Sequence, residues 1–330
     1  MVKRPLATIA TALLVLSSAA CGLRGGNDHD FGGTDDRPVV GFVQVGSESA
    51  WRKANSDSIQ VAAVDDDRIA YLQFANAEQD QQRQIEAIRE LIEDEVDVIV
   101  LAPVVESGWT EVLTEADRAG IPVILADRAI DEADEHLYET RLGSDFVEEG
   151  RKAARWTVET FAGENAGLVE IGGTPGSAAA EGRNVGYFEV LEDEDLDYEL
   201  VDSEFSDFTV EGGKEVMEGF IDEHGLDRID LLFAHNDEMG IGAADAIEAA
   251  GYDPGDDVQI IIVDGSRAGF EAGVAGRLNY IVECNPSFGP QLMDLVVDVL
   301  DGKDVDKFTP VEEGAFGPED FEDEVNHRDF

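Results

Sequence analysis

Polar and aromatic side chains collect at the ends of short apolar runs along this chain. After Val39–Val45 comes GSESAWR, with Glu48, Ser49, Ala50, Trp51 and Arg52 together. After IPVILA stand Asp127 and Arg128, and after AGLVEI comes a Gly-rich turn leading to Arg183. After YELVDSE stand Asp207 and Phe208, after LLFAH Asn236 and Asp237, after VQIIIV Asp264 and Gly265, and after LNYIV Glu283. Arginines donate hydrogen bonds in pairs, carboxylates and amides hold adjacent hydroxyls, and a ring covers an apolar C–H face. Together these groups suit a polyhydroxylated ligand.

Other chemistries find less support. The turn GGTPGS lacks the Gly-Lys-Ser/Thr of a phosphate-binding loop. His29, His136, His224, His235 and His327 are isolated, and neither H-E-x-x-H nor C-x-x-C occurs, so no metal is expected. His235 reads as a packing or hydrogen-bonding group at a strand end. The acidic run from Glu192 to Asp197 lacks the glycine and glutamate of a calcium loop and reads as a solvated turn. No nucleophile–base pair is evident. The expectation is a binding protein without a cofactor, and not an enzyme. Several of the residues also have plainer readings. Trp51 and Phe208 taken alone could be core rings, Asp127–Arg128 a surface ion pair, and Asp264–Gly265 a simple turn.

The elements that must position these groups alternate. VVGFVQV, RIAYLQFA, VDVIVLAP, IPVILAD, AGLVEIGG, YELVDSEF, LLFAHN, VQIIIVDG and LNYIVECN read as strands, with helical stretches between them. Such alternation implies parallel sheets with right-handed crossovers. The strands are too many for one tidy sheet, so the expected fold class is α/β with two Rossmann-like lobes joined by a hinge. Ligands bind beyond the carboxyl ends of such strands, where facing lobes would form one cleft.

The chain has 330 residues and a formal net charge of −51, from 74 acidic against 23 basic residues. That field repels a phosphate backbone and anionic lipid, so no nucleic acid is expected as a partner. Acidity spread along the chain suggests adaptation to high salt. Residues 1–20 have a basic start, an apolar run from Leu6 to Leu16 and small residues before Cys21, the pattern of a secretory signal peptide. Cys21 in that place resembles the lipidated cysteine of bacterial lipoproteins, although Ser18 stands where that pattern usually has leucine. Residues 21–37 read as lipid-anchor cysteine and flexible linker. Cys284 reads as a small buried residue.

GFVQVGSESAWR, QQRQIEAIRELI, VDVIVLAPVVESGW, IPVILADRAID, SDFTVEGGKEVMEGFI, AHNDEMGIGAADAI and VDGSRAGFEA resemble the periplasmic sugar-binding proteins of ABC importers, of the ribose-binding type. They extend from Val39 to about Leu300. GSESAWR and APVVESGW resemble the galactofuranose-binding branch in particular. The resemblance implies a type I periplasmic binding protein fold, with an N-terminal lobe of residues 38–142 plus 285–308 and a C-terminal lobe of 143–284 plus 309–330. It implies sugar contacts from the loop Glu48–Arg52, with Ala50 where the family carries glycine. It implies hydroxyl ligands at Asp127 and Arg128, and a C-lobe arginine at Arg183, preceded by Gly182 where the family often has an acid. It also implies a covering ring at Phe208 and polar ligands at Asn236 and Asp264. Glu283 falls where ribose binders place glutamine. The implied partners are a monosaccharide, an ABC permease and its ATPase, with the protein a monomer outside the cytoplasm. A sensory role, presenting sugar to a chemoreceptor or sensor kinase, would use the same fold. Beyond Leu300 the resemblance weakens, and partial mobility is expected there.

Overall fold

The computed structural model describes residues 37–163, 165–194 and 196–330. The expected signal peptide, Cys21 and the expected linker as far as residue 36 lie outside the described residues. The chain alternates as expected: β1 (Val39–Gln44), α1 (Ala50–Asp65), β2 (Tyr71–Asn76), α2 (Gln81–Glu93), β3 (Val98–Leu101), α3 (Thr110–Ala119), β4 (Val123–Ala126) and β5 (Thr140–Gly143). There follow α4 (Phe146–Thr160), β6 (Ala166–Gly172), α5 (Ala178–Asp193), β7 (Tyr198–Phe205), α6 (Val210–His224), β8 (Leu231–Ala234), α7 (Asp237–Ala249), β9 (Gln259–Asp264), α8 (Arg267–Val274) and β10 (Tyr280–Glu283). The chain closes with α9 (Gly289–Leu300), β11 (Phe308–Pro310), β12 (Ala315–Phe316) and α10 (Phe321–Val325).

Two six-stranded sheets result, in the orders β11-β5-β4-β3-β1-β2 and β12-β10-β9-β8-β6-β7. Strand composition follows position. The central strands β3, β4, β6 and β8 are buried throughout, as strands covered on both faces must be. The edge strands β2 and β7 alternate with exposed positions. In the first sheet the strand order reverses at β1 and β3, and in the second at β6 and β8. Those reversals open crevices at the strand ends that carry the polar residues.

The chain passes between the sheets three times: after β5, after β10 and after β11. β11 runs to Pro310, with Thr309 and Pro310 opposite Leu142 and Gly143 in the first sheet, past the break expected after Phe308. The residues beyond Leu300 complete both sheets, and Phe321 is buried beneath α8. At the crossings Glu313 ties the strands together. It accepts from Ser144 Oγ and from Asn285 N (3.0 Å), while Ser144 Oγ lies 3.2 Å from Cys284 Sγ.

α4 and α5 pack unusually close. A Cβ on Gly150 would stand 2.2 Å from the Arg183 carbonyl oxygen, so only glycine permits this approach. It brings Glu149 of α4 against Arg183 of α5.

Candidate functional site

Between the strand ends of the two sheets lies a small polar cavity of about 20 Å³, room for about one water. It is lined by Glu48, Ser49, Trp51, Arg52, Asp127, Arg128, Phe146, Ala179, Arg183, Phe208, Asn236, Asp264 and Cys284. Every residue expected from the sequence is present except Ala50 and Glu283. A larger groove of about 970 Å³ lies between α1 and α9 and includes Ala50. It holds none of the buried arginines, so chemistry rather than size selects the cleft.

The first-lobe side is a charge network. Arg52 Nε meets Glu48 Oε1 at 3.0 Å, and its Nη1 meets Asp127 Oδ2 at 2.8 Å and Gln44 Oε1 at 3.3 Å. Burial alone would lower the Arg52 pKa, but the carboxylates of Asp127 and Glu48 outweigh it and raise the value. Arg128, 2% exposed, is different. Its Nη1 donates to the Val104 carbonyl at 3.0 Å, and Asp127 is 3.9 Å from its Nε. Burial and the nearby Arg52 charge lower its pKa to about 10. Its guanidinium carbon lies 5.4 Å from the Phe208 ring centroid, across the cleft.

The second-lobe side centres on Arg183. Its Nε donates to Glu149 Oε2 at 2.7 Å, its Nη1 to the His235 carbonyl at 2.5 Å, and its Nη2 stands 3.7 Å from Asp264 Oδ1. Burial opposes the charge, but Glu149, Cys284 and Asp264 more than offset it, and the Arg183 pKa is raised. Burial lifts the Asp264 pKa well above the carboxylate range despite Arg183. Asp127, Phe208 and Asp264 hold φ of 67°, 64° and 110°, a left-handed backbone that side-chain-bearing residues seldom adopt. Such strain gathers at functional sites.

Two expected residues spend side-chain capacity on helix ends. Ser49 Oγ caps α1 by accepting from Arg52 N at 3.1 Å. Asn236 Oδ1 caps α7 by accepting from Met239 N at 3.0 Å, and its Nδ2 donates to the Phe208 carbonyl and to Glu238 Oε2. Ala50 contributes its backbone N–H, which donates to Glu238 Oε1 at 2.7 Å. Glu283 faces the C-terminal segment, pairing with Arg328 and accepting from Gly314 N at 2.6 Å. Its neighbour Cys284 lines the cavity instead, as the alternation of faces along a strand directs. His235 is fully buried and hydrogen-bonded through Nε2 to Glu170 at 2.9 Å.

Phe146 and Ala179 also line the cavity, as does Cys284, which the sequence marks only as a small buried residue. Phe146 follows β5, whose TRLG sequence carries no strand signal, so no strand exit was legible there. Cys284 was readable as a buried residue and is 2% exposed.

The sequence pattern of the periplasmic binding protein domain matches residues 40–304. The chain belongs to the periplasmic binding protein family. Within that family it is 38% identical to the galactofuranose-binding protein YtfQ of Escherichia coli, over 88% of this chain and 91% of that one. A Mycobacterium smegmatis protein solved with β-D-fucofuranose superposes with a TM-score of 0.82 at 44% identity, covering 87% of this chain and 93% of that one. The periplasmic binding component of the arabinose ABC transporter of Shewanella sp. ANA-3, solved with α- and β-L-arabinofuranose, gives 0.83 at 40% identity, covering 88% and 95%. The two-lobed α/β architecture is that of the family's type I fold.

Proposed function

We propose that this protein is the extracytoplasmic solute-binding component of an ABC sugar importer. It captures a monosaccharide in furanose form, galactofuranose or a close relative, between its lobes. The observation that carries this reading is a pair of unspent groups in the cavity wall. Arg128 Nε and Glu48 Oε2 are buried and have no protein hydrogen-bond partner among the described residues. Buried polar atoms are seldom left so. Ligand hydroxyls supply what each lacks, one accepting from the arginine and one donating to the carboxylate. Phe208 offers the ring for a sugar's C–H face. The named ligands of the similar proteins share a five-membered ring and differ around it, in keeping with recognition of the furanose ring itself.

The cavity is too small for a sugar, so capture requires the lobes to part, pivoting on the three chain crossings, and to close again. Residues 38–143 with 285–310 form one moving body, and 144–284 with the C-terminal segment the other. The closed form then docks on the permease, whose ATPase drives import. No chemistry is done on the sugar. Export through the signal peptide, lipidation at Cys21 and action as a monomer complete the reading.

A thermal-shift screen of the mature protein in high salt, against pentoses and hexoses equilibrated with their furanose forms, tests it. A ligand that binds only the folded protein raises its melting temperature. Galactose, arabinose or fucose should do so. A folded protein that no sugar stabilises would contradict the reading.

A further inference from the structure

The first turns of two helices meet across the cleft. α1 starts at Ala50 in the first lobe and α7 at Asp237 in the second. A helix N-terminus carries partial positive charge and N–H groups without intrahelical acceptors. At α1 the Ser49 hydroxyl serves Arg52 N, but Ala50 N has no acceptor in its own lobe among the described residues. It donates to Glu238 Oε1 at 2.7 Å, and that carboxylate belongs to the first turn of α7. Glu238 Oε2 accepts from Asn236 Nδ2 at 2.8 Å. One carboxylate thus lies between two helix ends of like partial charge, joins the lobes and steadies Asn236. A second bridge, from Glu106 N to the Gly176 carbonyl at 2.9 Å, is backbone to backbone. A third, from Trp51 Nε1 to the Cys284 carbonyl at 2.6 Å, lies beside the crossing after β10, so of these three only the one through Glu238 uses a carboxylate.

We infer that Glu238 is the closure latch of this protein, a positioning residue that sets how long the closed form persists and lies outside the ligand cavity wall. The inference rests on the reading of sugar capture between the lobes. When the lobes part, Ala50 N–H and the Glu238 carboxylate return to water. Closure makes a charge-assisted hydrogen bond at two helix ends at once. Because the bond forms after encounter, its loss acts on release more than on capture.

The test is stopped-flow kinetics with the sugar that stabilises the wild-type protein. Glu238→Ala should speed release about tenfold and leave the association rate nearly unchanged. Glu238→Gln keeps an acceptor oxygen and should recover part of the loss. Ala50→Pro removes the donor instead. Proline is favoured at the first helical position, and Ser49, at φ −137° and ψ 164°, already has the extended backbone that precedes proline. Adding Ala50→Pro to Glu238→Ala should then add little. An unchanged release rate in folded Glu238→Ala, or additive effects of the two substitutions, would overturn the latch while leaving capture intact. A wild-type protein that binds no sugar removes the capture reading and the latch with it.

Discussion

Arg128 and Arg183 are both buried guanidinium groups in one cavity, yet their removal should act differently. Arg183 neutralises Glu149, which is fully buried, and stands beside Asp264. Arg183→Ala leaves the buried Glu149 carboxyl without its partner and should cost about 3–5 kcal/mol of stability, read by denaturant unfolding. Arg128 spends one donor on a carbonyl and pairs weakly, so Arg128→Ala should leave stability unchanged or higher. It should weaken sugar binding about 30- to 100-fold, the loss of a charge-assisted contact worth about 2–3 kcal/mol. A third buried group acts through pH. Burial, with the Glu238 charge, pushes the Asp237 pKa up to about 7, against about 3.9 in the unfolded chain. Between those values the folded state holds the proton that the unfolded state has lost, so this contribution to stability declines as pH rises from about 4 to 7. Asp237→Asn should flatten that part of the wild-type melting profile, and a profile of unchanged slope would show the group titrates elsewhere. Much of the residue scale was legible because arginines and acids at strand exits are an unusual use of charge. Asn236 as a helix cap and Glu283 as a partner of Arg328 were not, since each depends on what lies opposite in space.

At the scale of elements, long buried strands such as AGLVEIG announce themselves by composition, whereas TRLG, FTP and AF are strands only because the sheets supply their partners. Missing β5 hid the exit that places Phe146 in the cavity, and missing β11 and β12 hid how the last residues complete both sheets. The turn after β6 shows how an element shapes the site. A Cβ on Gly173 would lie 1.8 Å from Phe208 Cζ, so the ring rests directly on that backbone. Gly173→Ala should displace the ring and lower sugar affinity about tenfold while circular dichroism stays native. Undiminished affinity would mean the ring does not meet the ligand.

At the scale of the molecule, a net charge of −51 sets the conditions of work. Raising salt from about 0.1 M to about 1 M shortens the screening length from about 10 Å to about 3 Å. Self-repulsion weakens accordingly, and the melting temperature should rise with salt. A flat or falling response would mean the acidity serves something other than a saline environment. Within that field the two lobes enclose three arginines beside carboxylates. Sugar capture by this cleft is tested most directly by a calorimetric titration in high salt with arabinose, galactose and fucose, on the wild-type protein and Arg128→Ala. Saturable one-to-one binding of at least one of these sugars is expected, weakened at least about 30-fold in a variant that melts no lower than wild type. No binding of any of the three, or equal binding by the variant, would contradict it.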